Sequence, residues 1–222
     1  MKLLLALFLT IPAVVLVKVR CPKDFIHVTR TPTAKNNQTK DWCLRVFDFE
    51  NMGDRDRARS VCISNNAMLS IPENKAEYDL IIERTEEKND NESYAMDGQM
   101  NPKCKALLFQ SVQQGEVFNT TTLKGPCNIK NNLIIFDDAN TDPEFVLSHM
   151  HYGIPSVTFA QSQDDGPRFQ KMYDCLRMDR IEYPDGGYFY TSHCGGKLTK
   201  ETGFLDLSFR PLDSVICGRP PL

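Results

Sequence analysis

The chain has 222 residues, 41% apolar and 25% charged, with a formal net charge of −3. That balance excludes wholesale disorder and leaves one large domain or two small ones. A mildly acidic chain with a single Trp also excludes a general nucleic-acid binder.

Met1-Lys2 opens a positive start, and Leu3 to Val17 is an apolar run broken by Thr10 and Pro12. This has the length and polarity of a secretory signal over residues 1–20, too short and early for a stable membrane span. An uncut amino-terminal anchor is the alternative. No later stretch is apolar enough to span a membrane, so a secreted, extracellular mature chain is expected.

Leu44 to Phe49 reads as a strand. A first helix is predicted from Gly53-Asp54, with Ala58, Val61 and Cys62 on one face, so Cys62 should point into a core. Arg55, Arg57 and Arg59 alternate with Asp54 and Asp56, which suggests an ion-paired helix start. Leu69 and Ile71 form a short apolar alternation ended by Pro72. A second helix opens at Asn74, with Glu77 three residues on, a capping-box pattern; Tyr78, Ile81 and Ile82 mark its buried face. Residues 86–93 form a charged loop. Leu133 to Phe136 is a buried strand. Residues 137–170 are loop-rich. Asp185-Gly186-Gly187 turns into the aromatic run Tyr188-Phe189-Tyr190, and Leu212 to Cys217 is a closing strand. Early helices and late short strands indicate the α+β class.

All eight cysteines follow the leader: Cys21, Cys43, Cys62, Cys104, Cys127, Cys175, Cys194 and Cys217. An even set in an oxidising compartment favours disulfides, whose connectivity spacing alone does not choose. The absence of C-x-x-C argues against a zinc knuckle or a thioredoxin-type pair. Asn37-Gln38-Thr39, Asn91-Glu92-Ser93 and Asn119-Thr120-Thr121 are glycosylation sequons in polar contexts.

Cys21-Pro22-Lys23-Asp24-Phe25 is similar to the opening Cys-Pro-x-x-aromatic hairpin of the C-type lectin-like domain. Ala58-x-x-x-Cys62, Ala67 to Ile71 and Glu77 resemble that family's first helix, first core strand and second helix. Met96-Asp97-Gly98 resembles its apolar-Gly core motif, and Tyr152 to Ser156 the proline motif of its long loop. Tyr173 to Leu176, His193-Cys194 and Val215 to Gly218 resemble the strands carrying the later framework cysteines. The resemblance covers residues 21–219 as one domain. It implies two helices, two small antiparallel sheets and a long loop. It also implies the pairs Cys62–Cys217, Cys175–Cys194 and Cys21–Cys43, which leaves Cys104 for Cys127.

Sugar-binding members of the family hold calcium with carboxylates and carboxamides around the proline and before the penultimate cysteine. Here Pro155 is flanked by Ile154 and Ser156, and Tyr190 to His193 precede Cys194. Calcium takes six to eight oxygens, mostly of the kinds missing here. The resemblance therefore implies a binding domain without that ion or any other cofactor. Asp137, Asp138, Asp142 and Glu144 could form a secondary calcium site, but a solvated acidic loop is the expectation. Asp164-Asp165-Gly166 reads as a turn. His149 and His151 lack a nearby third zinc ligand, and His27 and His193 stand alone.

No G-x-S-x-G, H-E-x-x-H or glycine-rich phosphate loop occurs, so no catalytic residues are assigned. The expectation is a non-enzymatic binder of a protein or glycan, with Ile154, Pro155, Ser156, Tyr188 and Tyr190 as a candidate ligand loop. Cross-strand packing is the other role open to Tyr188 and Tyr190. A secreted hydrolase on another fold and a structural or adhesive matrix protein are the competing functions.

Overall fold

The computed structural model describes residues 19–48, 55–85, 93–113, 127, 132–150, 157–159, 170–172, 175–180, 188–192 and 212–222. The expected leader falls almost wholly outside them. The order of elements is β1 (Ile26–Thr29), β2 (Asp41–Asp48), α1 (Arg55–Ser64), β3 (Met68–Leu69), α2 (Lys75–Glu83), β4 (Ser93–Met100), α3 (Pro102–Gln113), β5 (Ile134–Ile135), α4 (Glu144–Ser148), β6 (Val157–Phe159), β7 (Gln170–Met172), β8 (Cys175–Asp179), β9 (Phe189–Ser192) and β10 (Leu212–Arg219). Among the described residues, no helix is long and apolar enough to cross a membrane.

The class is α+β, but the sheet is mixed rather than divided into two small antiparallel sheets. Its path runs β1-β2-β10-β4-β8-β9, with β3 added to β10 and β5 to β4; β6 and β7 form a separate antiparallel pair. β10 pairs antiparallel with β2 and parallel with β4. A parallel pair needs a long crossover, and here it is supplied by the chain between residues 100 and 212.

Alternation along the strands splits the core between two faces. Trp42, Leu44, Tyr94, Met96 and Ile216 face one cluster, which Tyr78 and Ile81 of α2 cover. Ala95, Val215 and Cys217 face the other, covered by Ala58, Val61 and Cys62 of α1. α2 starts as its sequence indicates: the Asn74 side chain accepts the Glu77 N–H at 3.0 Å, and Glu77 Oε2 accepts the Glu73 N–H at 3.0 Å.

Two helices appear beyond the two expected. α3 follows Asn101, whose side chain accepts the Lys103 N–H at 3.0 Å, and Pro102 fills its first position. Asn followed by Pro is a helix-start signal, since Pro has no N–H to satisfy in the first turn. α4 is a single turn inside the stretch that reads as loop. Ser93 is a further correction: it opens β4 and is buried, with its hydroxyl donating to Asp179 Oδ1 at 2.7 Å.

Three disulfides are described: Cys21–Cys43, Cys62–Cys217 and Cys104–Cys127. Cys175 is disulfide-bonded too; Cys194 lies outside the described residues. The Cys62–Cys217 bond ties α1 to β10 across 155 positions, and closing so long a loop stabilises by about 5 kcal/mol in the chain-entropy picture.

Gly218 of β10 lies under the Trp42 indole, and a Cβ there would sit 2.6 Å from Ser70 Oγ. Both neighbours are buried, so neither can swing away. Gly218→Ala is expected to cost about 1–3 kcal/mol by overpacking, read as a lower urea midpoint for the oxidised protein. An unchanged midpoint would contradict this packing.

Candidate functional site

The polar residues around the 137–144 segment form two connected networks. The first centres on Asp97, fully buried in β4. Its Oδ1 accepts from Arg55 at 2.7 Å and from the Gly98 N–H at 2.8 Å. Its Oδ2 accepts the Asp137 and Asp138 N–H groups at 2.7 and 2.8 Å. Burial pushes the Asp97 carboxyl above its ordinary range, against the pull of those donors and the Arg55 charge. Arg55 and Arg59, one turn apart on α1, both reach Asp137. These two arginines pair across the fold, Arg55 with Asp97 and both with Asp137.

The second network centres on Arg30, just after β1. Its guanidinium meets Glu77 through two bonds of 2.8 Å and donates to the Asn140 carbonyl at 2.9 Å and Thr141 Oγ1 at 2.7 Å. Asp138 accepts from Ser70 Oγ at 2.6 Å, Thr141 Oγ1 at 2.7 Å and the Asn140 N–H at 2.9 Å. Trp42 Nε1 donates to the same Ser70 hydroxyl at 3.3 Å.

The four acidic residues of this segment therefore diverge. Asp137 goes to Arg55 and Arg59, and Asp138 goes inward to hydroxyls. Asp142 accepts the Glu144 N–H at 3.0 Å and lies 4.0 Å from Lys35, while Glu144 pairs with Lys35 at 3.1 Å. Their oxygens do not converge on a shared point as a calcium shell requires. Among the described residues, no group of three His, Cys, Asp or Glu side chains is placed to hold a metal. Asp138 departs from the expected solvated loop: it is buried, with its carboxylate turned to the Ser70 hydroxyl just after β3.

The aromatic run after residue 187 divides. Tyr188 is 7% exposed and packs on Tyr78 at 4.6 Å between ring centroids, with His149 and Phe145 alongside. Its ring belongs to the core. Tyr190 is half-buried, with the Arg177 guanidinium 5.1 Å from its ring centroid. The His149 carbonyl accepts the Tyr188 N–H at 3.0 Å, which binds α4 to the start of β9. His149 Nδ1 lies 2.8 Å from the Phe145 carbonyl, so it serves as a donor there. His27 pairs with Asp41 at 2.8 Å.

Ile154, Pro155, Ser156, His151 and His193 lie outside the described residues, as do Asn91 and Asn119. Asn37 is described: it is exposed in a turn with φ of 53°, and its Nδ2 is 3.4 Å from Asn140 Oδ1. The chemistry of the donor set around Pro155 and before Cys194 does not fit calcium, since neither Ile154 nor Tyr190 to His193 brings a carboxylate or carboxamide. Arg30, Glu73, Asn36 and Asp97 hold the networks together. The capping pattern at Asn74 points toward the second network, and the Met96-Asp97-Gly98 motif toward the first.

Asp97→Asn would aim an amide N–H at donors and leave Arg55 with Asp137 alone. A loss of about 3 kcal/mol is expected, measured by thermal unfolding at neutral pH. A loss within error of zero would show that Asp97 does not hold this network.

The family model for C-type lectin domain-containing protein 141/158 matches residues 27–196. No curated protein sequence matches the chain. Among solved structures, the chain is similar to the carbohydrate-recognition domain of cow CD23 in the presence of an oligosaccharide, at 12% identity, covering 91% of this chain and 98% of that one, with a TM-score of 0.40. It is similar to the C-type lectin domain of murine dendritic cell inhibitory receptor 2 in complex with N-glycan, at 11% identity, 90% and 98% coverage and a TM-score of 0.39. The tunicate Polyandrocarpa misakiensis lectin TC14 follows at 13% identity, 79% and 97% coverage and 0.35. Scores this low carry no weight beside the family model. That model spans well over half of the sequence, and the chain belongs to the C-type lectin domain-containing protein 141/158 family.

Proposed function

We propose that this lectin-like binding domain works in the extracellular space and engages its partner, a protein or a glycan, without calcium. Residues 1–20 act as the secretory leader and residues 21–219 as a single domain. Asn37, Asn91 and Asn119 carry glycans, and the chain does not turn over a substrate. One observation carries the calcium-independent reading: the carboxylates of the 137–144 segment are engaged by Arg55, Arg59, Lys35, Ser70 and Thr141. A cation would have to break those pairs to gain its ligands. The donor set around Pro155 supports the same conclusion. Leader, disulfides and sequons support secretion together.

A partner then has to be recognised through hydrogen bonds and stacking, with residues 154–156 and Tyr190 of β9 as the contact residues. Rings supply contact area at low entropy cost.

Calorimetric titration of the secreted chain with calcium is expected to give no saturable heat from micromolar to low-millimolar concentration. A glycan array run in calcium and again in chelator is expected to give the same pattern twice. Saturable calcium heat, or glycan signals lost only in chelator, would overturn the reading.

A further inference from the structure

Arg45 of β2 carries a guanidinium that the fold holds in place without using its donors. Arg45 and Phe47 are two residues apart on the strand, so both project from one face. The guanidinium carbon lies 4.3 Å from the Phe47 ring centroid and 5.9 Å from that of Phe25, just before β1. The two rings are 6.1 Å apart and steeply inclined, at 72°. Those three distances put the guanidinium in the corner of the rings, not in a sandwich between them. The Arg45 side chain is 30% exposed, so part of its fork faces water.

The corner is stiff. Arg45 is two positions from Cys43, which is bonded to Cys21, and lies opposite Cys217, which is bonded to Cys62. The Phe25 N–H donates to the Pro22 carbonyl at 3.1 Å, closing the turn that brings Asp24 and Phe25 to β2. Ring contacts attract the cation without taking up its planar set of N–H groups. Among the described residues, Arg45 makes no hydrogen bond. Its ion-pair partner, Asp24, has its oxygen 3.6 Å away, too long for a hydrogen bond. Asp24 is 54% exposed, so the pair is solvated and weak. Arg30 and Arg55, by contrast, spend their donors on buried carboxylates.

The other charges of this face leave the fork open. Arg219 lies opposite Cys43 and adds a second guanidinium to the face. The Asp41 carboxylate is bonded to His27 at 2.8 Å. Asp24 is thus the acid that competes for Arg45.

We propose that this corner is a binding site for an acidic sugar: its carboxylate takes two parallel hydrogen bonds from the Arg45 fork while its ring rests against Phe25 and Phe47. A planar fork matches a carboxylate bidentately, a match that Asp24 at its present distance does not use. The two half-buried rings beside the fork supply apolar support for the C–H face of a pyranose. An acidic peptide would bring several charges to one fork and would meet Asp24 and Asp41 beside it. The site stands apart from the contact at residues 154–156 and Tyr190, because β10, β4 and β8 separate β2 from β9 in the sheet. Neither site depends on the other.

An NMR titration of the full, oxidised, isotope-labelled chain tests the site, with sialyllactose as the acidic sugar and lactose as its neutral counterpart. The Arg45 Nε–Hε signal is expected to shift saturably with sialyllactose and to stay fixed with lactose. Arg45→Lys keeps the charge and loses the fork, and is expected to weaken binding by about tenfold or more. Asp24→Asn removes the competing carboxylate and is expected to tighten binding by about two- to fivefold. An Arg45 signal that ignores sialyllactose, or answers lactose equally, would overturn the proposal. An equal response to sodium acetate or to triglutamate at the same concentration would overturn it too, since the corner would then read any carboxylate or an acidic peptide. If Arg45→Lys does not fold, the wild-type titration and Asp24→Asn decide, and an Asp24→Asn chain that binds no more tightly sinks the idea.

Discussion

Asp97 is the point at which the separate parts of this domain are fixed to one another. One buried carboxylate accepts from α1 through Arg55, from its own strand through Gly98, and from the segment after β5 through two backbone amides. A neutral side chain of the same size could not serve all four donors. Holding Asp137 and Asp138 by their backbones sets the direction of both side chains, one to the arginines of α1 and the other to Ser70. The second network follows from the first, because Asp138 positions Thr141, and Thr141 shares its hydroxyl with Arg30.

This arrangement gives the acidic 137–144 segment a different geometry from that of a metal loop. Calcium sites keep carboxylates pointing at a common centre, at a cost in mutual repulsion that the ion relieves. Here the repulsion is relieved by the arginines of α1, Lys35 in the turn after β1, and the hydroxyls of Ser70 and Thr141. The internal partners are charged or rigid, so the oxygens are committed before any ligand arrives.

The legible parts of the chain were those where the signal is local. Asn74 and Glu77 are three residues apart, and Ala58, Val61 and Cys62 share one helical face; both patterns correspond to the observed helices. β4 was obscure for a physical reason. Tyr94 and Met96 face one core and Ala95 the other, so the sequence does not alternate between apolar and polar residues, and a charged Asp97 interrupts it. The networks were obscure because their partners are far apart: Arg30 and Glu77 are 47 positions apart, and Arg55 and Asp137 are 82. The four acids of the 137–144 segment read as one cluster in sequence, and backbone direction sends them three ways: Asp137 to the arginines of α1, Asp138 inward, and Asp142 with Glu144 to Lys35. α3 carries a local signal as well, Asn101-Pro102 at its start.

The place of β10 in the sheet governs the order in which the domain can be assembled. Residues 212–219 lie between β2 and β4, two strands that a ribosome delivers long before them. Until then each strand carries an unpaired inner edge, and neither core has its central wall. Cys62 waits as a thiol for a partner 155 residues later, about ten to thirty seconds at ordinary elongation rates. The Cys21–Cys43 and Cys104–Cys127 bonds need only 22 and 23 positions and can close while synthesis continues. Maturation is thus divided between local crosslinks made during translation and a final closure that needs nearly the whole chain, an interval in which chaperones and thiol oxidants have the greatest influence on yield.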